Sequence, residues 1–339
     1  MAELPLVSVI IPMRNEADWL ERCLGSVFAQ DYPANRTEVI VVDGMSDDGS
    51  YETLCTLAEE EERLSVFQNP ARIVPSSLNI AINAAKGDII ARVDSHTTLE
   101  PDYLSQGVEI LERTGADNVG GPMISIGGGA VGDAIAAAMA SRFGIGAYFH
   151  FATEERESDT VYMGMWRRRV FENVGVFDEE LVRNQDDEFN YRLRKAGGRI
   201  IVSPAMRSAY QNRQSWAKLR RQFYEYGVWK VRVLQKHPGQ MSLRHFVPPA
   251  FDLSLILGLI GGIFWPPLLL AVSAAAVLYL GVMACVSLAS EGTLSKGLRM
   301  FVALTIIHHA WAMGFLVGSA RFASRWFGAH DAEAGLGAN

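Results

Sequence analysis

Cysteine is scarce in this 339-residue chain. Cys23, Cys55 and Cys285 form no CxxC pair and no ligand cluster, which excludes a structural zinc site and a disulfide framework and suits a reducing compartment. A basic-then-apolar leader is missing as well. The apolar run from Val7 to Pro12 is too short for one and sits inside a strand-like segment, so the front of the protein is expected to stay in the cytoplasm. There is no excess of positive charge. The net charge of -7 argues against a general nucleic-acid binder. Charge of either sign disappears from two stretches, 38 residues from Leu253 to Ser290 and 21 residues from Met300 to Ala320. The whole chain is 49% hydrophobic and 20% charged, enough for a packed core and too apolar for a disordered chain.

The two uncharged runs predict a membrane-embedded back half, since a helix crossing the hydrocarbon core needs roughly 20 apolar residues. Pro266-Pro267 interrupts the first run. The expected helices are therefore one ending near Trp265, one over about Leu268–Ala289 and one over about Met300–Ala320. A buried helical core in a soluble protein is the alternative, and runs this long are hard to house there. Arg244, Lys296 and Arg299 suit a cytoplasmic placement, whereas three crossings would put Arg321 and Arg325 on the far side, against the positive-inside rule. The topology stays open, and one segment can be re-entrant.

The front half alternates strand and helix. Val7 to Ile11, Val39 to Val42 and Asp88 to Val93 read as buried strands, with helices over Glu16–Phe28, about Ser50–Glu62 and Leu78–Ala85 and a short strand near Leu64–Gln68. That order implies a mostly parallel sheet with ligands at the carboxyl ends of its strands. Polar clusters sit at those ends. Pro12-Met13-Arg14-Asn15-Glu16 offers polar side chains and freed amides for a base and ribose. Asp43 to Ser50 places a carboxylate, with Ser46, where it can accept an N–H from a uracil ring; the alternative is an Asx turn and helix cap. In Arg92-Val93-Asp94-Ser95-His96, an oxygen and an imidazole ligand two residues apart can grip one divalent cation that keeps positions open for a diphosphate; the alternative is a lone loop histidine. In Arg183 to Glu188, crowded acids raise one carboxyl pKa and favour a general base, or else complement a helix dipole. Gln211 to Lys236 is a basic-aromatic amphipathic helix, for a membrane surface or for packing on the sheet. Gly127 to Gly146 reads equally as a mobile acceptor loop or a closely packed helix.

Together these stretches (VSVIIPMRNE, VIVVDGMSDDGS, GDIIARVDSH, MGMWRRRVFENVGVFDE and NQDDEFNYRLRKAGG) resemble the family 2 inverting glycosyltransferases of GT-A fold. Within that family they are similar to the membrane-anchored bacterial exopolysaccharide glucosyltransferases of the succinoglycan type, whose metal motif is likewise Asp-x-His. The resemblance covers most of residues 7 to 200. It implies an α/β, Rossmann-like GT-A domain over residues 1–210, an interfacial segment over 211–250, about three transmembrane or re-entrant helices over 251–322 and a tail over 323–339. It implies Asp186 as catalytic base, with Gln185 standing where the family has Glu. It gives Pro12, Arg14, Glu16, Asp43, Ser46, Arg92 and Asp94 to the nucleotide-sugar, and Asp94 and His96 to Mg2+ or Mn2+. Gly164, Met165, Trp166 and Asp187 fall on the acceptor side, and Arg220 or Arg221 on the pyrophosphate. The reaction implied is metal-dependent, inverting transfer of one sugar, glucose, from a UDP-sugar to a polyprenyl-diphosphate-linked saccharide at the bacterial inner membrane. Gln222-Phe223-Tyr224-Glu225-Tyr226 departs from the Gln-x-x-Arg-Trp signature of processive relatives. A polyprenyl-phosphate sugar synthase, a processive synthase and an inactive assembly subunit are the competing readings, and the oligomeric state is not implied.

Overall fold

The computed structural model describes residues 3–326; the end of the expected tail, 327–339, lies outside the described residues. The chain divides into two compact units, one made of the residues up to Ser125 plus Ala147–Gln211, the other of Ile126–Gly146 and the residues from Asn212 on.

The first unit is an α/β layer structure. In chain order it runs β1 (Val7–Met13), α1 (Leu20–Phe28), β2 (Thr37–Asp43), α2 (Ser50–Glu60), β3 (Leu64–Gln68), α3 (Val74–Ala84), β4 (Ile89–Arg92), β5 (Thr97–Leu99), α4 (Tyr103–Thr114), β6 (Asn118–Gly121) and β7 (Met123–Ile126). After α5 (Gly129–Ala140), which belongs to the second unit, come β8 (Arg156–Glu157), β9 (Tyr162–Arg167), α6 (Arg169–Val174), α7 (Gln185–Lys195), β10 (Ile200–Val202) and β11 (Ser208–Gln211). The main sheet has the order β3-β2-β1-β4-β9-β6-β10-β8. Its first four strands are parallel, as expected; β9 then runs antiparallel to both β4 and β6. A small sheet, β5-β11-β7, accompanies it.

Burial explains the strand texture. All seven residues of β1 are buried, so β-branched residues serve both faces and no alternation appears. Pro12 does not end the strand as its sequence position suggests; it stays in register opposite Val42. Side chains of β9 point alternately to the two faces. Trp166 joins a core with Leu78 and Ala81 of α3, Phe171 of α6 and Phe189 of α7, whereas Met165 faces Gly107 of α4, where a Cβ would meet its sulfur. The α7 helix stops at Gly197, whose φ of 85° carries the chain into the turn while Gly198 N–H bonds back to the Leu193 carbonyl at 3.0 Å. Among the described residues the three cysteines are unpaired, and burial pushes the Cys23 thiol up to about 12.

The second unit is helical: α5, α8 (Trp216–Lys236), α9 (Leu243–Gly262), α10 (Pro266–Ser290) and α11 (Leu294–Arg321). The stretch left open between loop and helix, Gly127 to Gly146, contains helix α5, with Gly132 against Gln214. Among the described residues three helices are long and apolar enough to cross a membrane, over His245–Gly262, Pro266–Ser290 and Leu294–Arg321. Their ends differ from those expected. Pro266 and Pro267 begin α10 instead of preceding it, because the first helical positions need no amide donor. α9 starts well before the uncharged run and carries Pro248 and Pro249 inside it. Leu270 and Leu278 on α10 are 74% and 70% exposed, as a lipid-facing surface requires. α8 and α11 approach backbone to backbone: Gly227 lies against the Trp311 carbonyl, Gly314 against Tyr224 and Gly318 against Val228.

Candidate functional site

The strand order reverses between β1 and β4: β2 and β3 follow β1 on one side, and β4 lies on the other. Loops leaving such a switch point diverge and open a crevice at the carboxyl ends of the strands. The sequence clusters occupy those ends.

The loops after β1 and β2 are stitched together. The Asn15 side chain donates to Asp47 at 2.9 Å and accepts from the Asp47 N–H at 3.0 Å, while its backbone N–H donates to the Ser46 hydroxyl at 2.8 Å. Glu16 N–H donates to the Ser50 hydroxyl and Ala17 N–H to the Asp48 carboxylate. Burial alone would raise the pKa of Asp48, but bonds from Ser50 and Ala17 hold it below the ordinary value. Asp43 is fully buried; its carboxylate accepts from the Ser46 N–H at 3.1 Å and from the Ser46 hydroxyl at 2.5 Å. Pro12 is buried within β1, and Arg14 is exposed beside Gly44.

The other side of the crevice is organised by Arg92, the last residue of β4, which is only 8% exposed. Its Nε donates to Asp94 Oδ1 at 2.9 Å, its Nη2 pairs with the same oxygen at 2.9 Å as an ion contact, and its Nη1 lies 3.9 Å from Asp186 Oδ2 at the start of α7. One guanidinium thus gathers two carboxylates that are 92 residues apart in sequence. Burial works against the Arg92 charge, yet Asp94 and Asp186 keep its pKa above the ordinary value. The Asp186 side chain is 43% exposed but densely surrounded; that partial desolvation raises its pKa, Arg92 opposes the rise and Asp187 adds to it. Asp187 also donates its N–H to Asp186 Oδ1 at 3.0 Å.

His96 joins the two sides. Its Nδ1 lies 3.4 Å from Glu16 Oε1 without hydrogen-bond geometry and is buried with no hydrogen-bond partner. Its ring meets the edge of Tyr210. Among the described residues no three His, Cys, Asp or Glu side chains are grouped to hold a metal ion. The orphaned imidazole nitrogen of His96 and the carboxylate of Asp94, two residues before it, are nonetheless a fitting nitrogen–oxygen donor set for a divalent cation, provided a bound diphosphate completes its coordination.

The remaining expected residues fall elsewhere. Gly164, Met165 and Trp166 are buried on β9, and the Trp166 ring packs among Phe171, Phe177 and Phe189 at 5.6, 6.1 and 5.9 Å between centroids. The Met165 and Trp166 side chains form core, not a solvent-facing wall, because a central strand is covered on both faces, and Gly164 leaves room for the Trp166 ring. Arg220 and Arg221 belong to α8 in the second unit, where exposed Arg221 pairs with Glu225. Met163 went unnoticed in the sequence. It holds a φ of 46°, and its sulfur accepts from the Asp94 N–H at 3.3 Å. Only its position two residues before Met165 hinted at it, and no residue-type signal distinguishes it.

Residues 8–175 match the family model "Glycosyl transferase family 2". The succinoglycan biosynthesis protein ExoA of Rhizobium meliloti is 31% identical over 316 residues, covering 91% of this chain and 93% of that protein. A dolichyl N-acetyl-α-D-glucosaminyl phosphate 3-β-D-2,3-diacetamido-2,3-dideoxy-β-D-glucuronosyltransferase of Methanococcus voltae is 28% identical, covering 76% of this chain and 82% of that protein. Among solved structures, the mannosyltransferase PcManGT from Pyrobaculum calidifontis, in complex with GDP-Man and Mn2+, superposes with a TM-score of 0.61 at 19% identity, covering 93% of this chain and 88% of that one. That likeness confirms the expected GT-A fold.

Proposed function

The chain belongs to glycosyltransferase family 2, a transferase of polysaccharide or glycan biosynthesis, and from that premise we propose that it moves one sugar per event from a UDP-sugar to a saccharide carried on polyprenyl diphosphate. Glucose is the sugar in this reading, and the catalytic unit works on the cytoplasmic side of a bacterial inner membrane. The single observation that carries the proposal is the convergence of Asp94 and Asp186 on buried Arg92 at the switch point.

In this mechanism the stitched loops of Arg14–Glu16 and Asp43–Ser46 hold the base and ribose. Asp94 and His96 would hold the divalent cation, which when bound supplies Lewis-acid stabilisation to the departing diphosphate. Asp186 takes the proton of the acceptor hydroxyl onto its carboxylate as that oxygen attacks the anomeric carbon and the nucleoside diphosphate leaves from the opposite face, inverting the centre. A base for a hydroxyl works better the closer its pKa lies to the working pH, and the surroundings of Asp186 move it in that direction. Asp187 sits beside it on the acceptor side. The name of the Methanococcus relative, which specifies a dolichyl-phosphate-linked sugar, supports a lipid-linked acceptor. Single transfer is supported by Glu225 and Tyr226, which stand where the signature of processive relatives has Arg and Trp.

Purified protein incubated with a panel of UDP-sugars tests the donor by release of UDP. Asp186→Asn should reduce transfer by about 100- to 10,000-fold with UDP binding retained; loss of UDP binding instead would reassign the residue.

A further inference from the structure

The helical unit buries a carboxylate. Asp252 on α9 is the one acid among the described residues of the three membrane-length helices, and its side chain is 8% exposed. Ionisable groups among such helices cost several kcal/mol unless partnered, and they mark functional positions. Asp252 Oδ1 accepts from His309 Nδ1 on α11 at 2.8 Å. A carboxylate can only accept, so that bond commits the Nδ1 proton and leaves Nε2 as the imidazole's outward atom. The His309 side chain is 39% exposed, and among the described residues nothing bonds to that second nitrogen.

His308 is used differently. Its Nε2–H donates to the Phe143 carbonyl at 2.6 Å, which leaves Nδ1 to accept from the Tyr279 hydroxyl of α10 at 3.0 Å. It clasps three segments together, and the Tyr279 ring also sets its edge against His309, 5.3 Å between centroids. The neighbouring packing sets the depth. Gly227 of basic-aromatic α8 meets Trp311, two residues beyond His309, and in this reading α8, by its composition, lies at the lipid headgroups. His309 thus stands where the interfacial helix gives way to the apolar ones.

We infer that His309, held by Asp252, binds a phosphate of the polyprenyl-diphosphate lipid, with farnesyl phosphate as its probe; the lipid assignment rests on the acceptor proposed above. With its proton in place the pair is neutral overall and offers an N–H to a phosphate oxygen without an isolated buried charge. The full-length protein in phosphatidylcholine nanodiscs is titrated with farnesyl phosphate, farnesol and inorganic phosphate in separate arms. Wild type should bind farnesyl phosphate at least about tenfold more tightly than farnesol, the lower end for a hydrogen bond to a charged group. His309→Phe should abolish that preference, and His309→Gln, which keeps an N–H, should retain part of it. His309→Met takes the place of the Phe variant if the latter does not fold. No preference in wild type, or a preference that survives in the Phe or Met variant, overturns the site; displacement by inorganic phosphate at matched concentration overturns its assignment to a lipid. UDP release without lipid, measured on the same samples, tests the transferase reading separately, so either idea can fail alone.

Discussion

Arg92→Met is the most informative perturbation of the catalytic unit. Arg92 is 8% exposed, and its guanidinium makes one hydrogen bond and a close ion pair to one oxygen of Asp94, whose side chain is 16% exposed. Removing one partner of a buried ion pair costs about 3–5 kcal/mol, because the partner left behind is uncompensated. Asp186, at 3.9 Å and 43% exposed, is screened by solvent and adds little to that cost. The lower end, about 3 kcal/mol, is therefore the working figure, and at 2–4 °C per kcal/mol it lowers the melting temperature by about 6–12 °C. Thermal unfolding in detergent, followed with and without UDP, reads this directly. Adding Asp94→Asn to Arg92→Met should restore most of the lost stability, since the stranded charge is gone, while sugar transfer stays low. Arg92→Lys keeps the charge without the planar fork and should fall between wild type and Met. If Arg92→Met melts with wild type, or transfers sugar as well as wild type, Arg92 does not organise the site and the grouping of Asp94 with Asp186 loses its meaning.

Other expectations follow from the same geometry. Asp187→Asn removes a charge that raises the Asp186 pKa; a base works only when deprotonated, so the acidic limb of the kcat/KM profile should move to lower pH, and an unmoved limb would exclude Asp186 as the titrating base. EDTA should suppress transfer and added Mn2+ or Mg2+ should restore it; full activity in chelator refutes the role given to Asp94 and His96. Gly314→Leu should prevent stable assembly of the helical unit, since a Cβ there meets the Tyr224 backbone, whereas Gly281→Ala, with open space around it, should leave yield and melting unchanged in a detergent-solubilised sample.

Much of this was legible in the chain. Continuous apolar runs such as Val7–Ile11 announced strands buried on both faces, and the polar residues ending each run marked the crevice. The antiparallel half of the sheet was not legible, because β9 carries the same run of buried residues as a parallel strand. Trp166 looked like a site residue since motif spacing does not tell which face a side chain takes; three phenylalanines decided it. Arg92 was placed with the nucleotide-sugar residues, but its reach to Asp186 depends on how α7 docks. Asp252 escaped notice because it lies one residue before the uncharged run, and His308 and His309 because histidine counts as neutral.

Asn15, Met45, Met163 and Asn184 all hold left-handed backbone, with φ of 56°, 59°, 46° and 62°, and each sits in or beside a segment of the crevice. For methionine especially that shape is disfavoured, and it persists only where the surrounding contacts over-determine it. The rim is consequently shaped before any donor arrives, and little ordering entropy remains to be lost at each encounter. Replacements that relax these bends should make a sturdier protein and a poorer catalyst, so directed evolution for heat resistance would erode turnover at these four positions first.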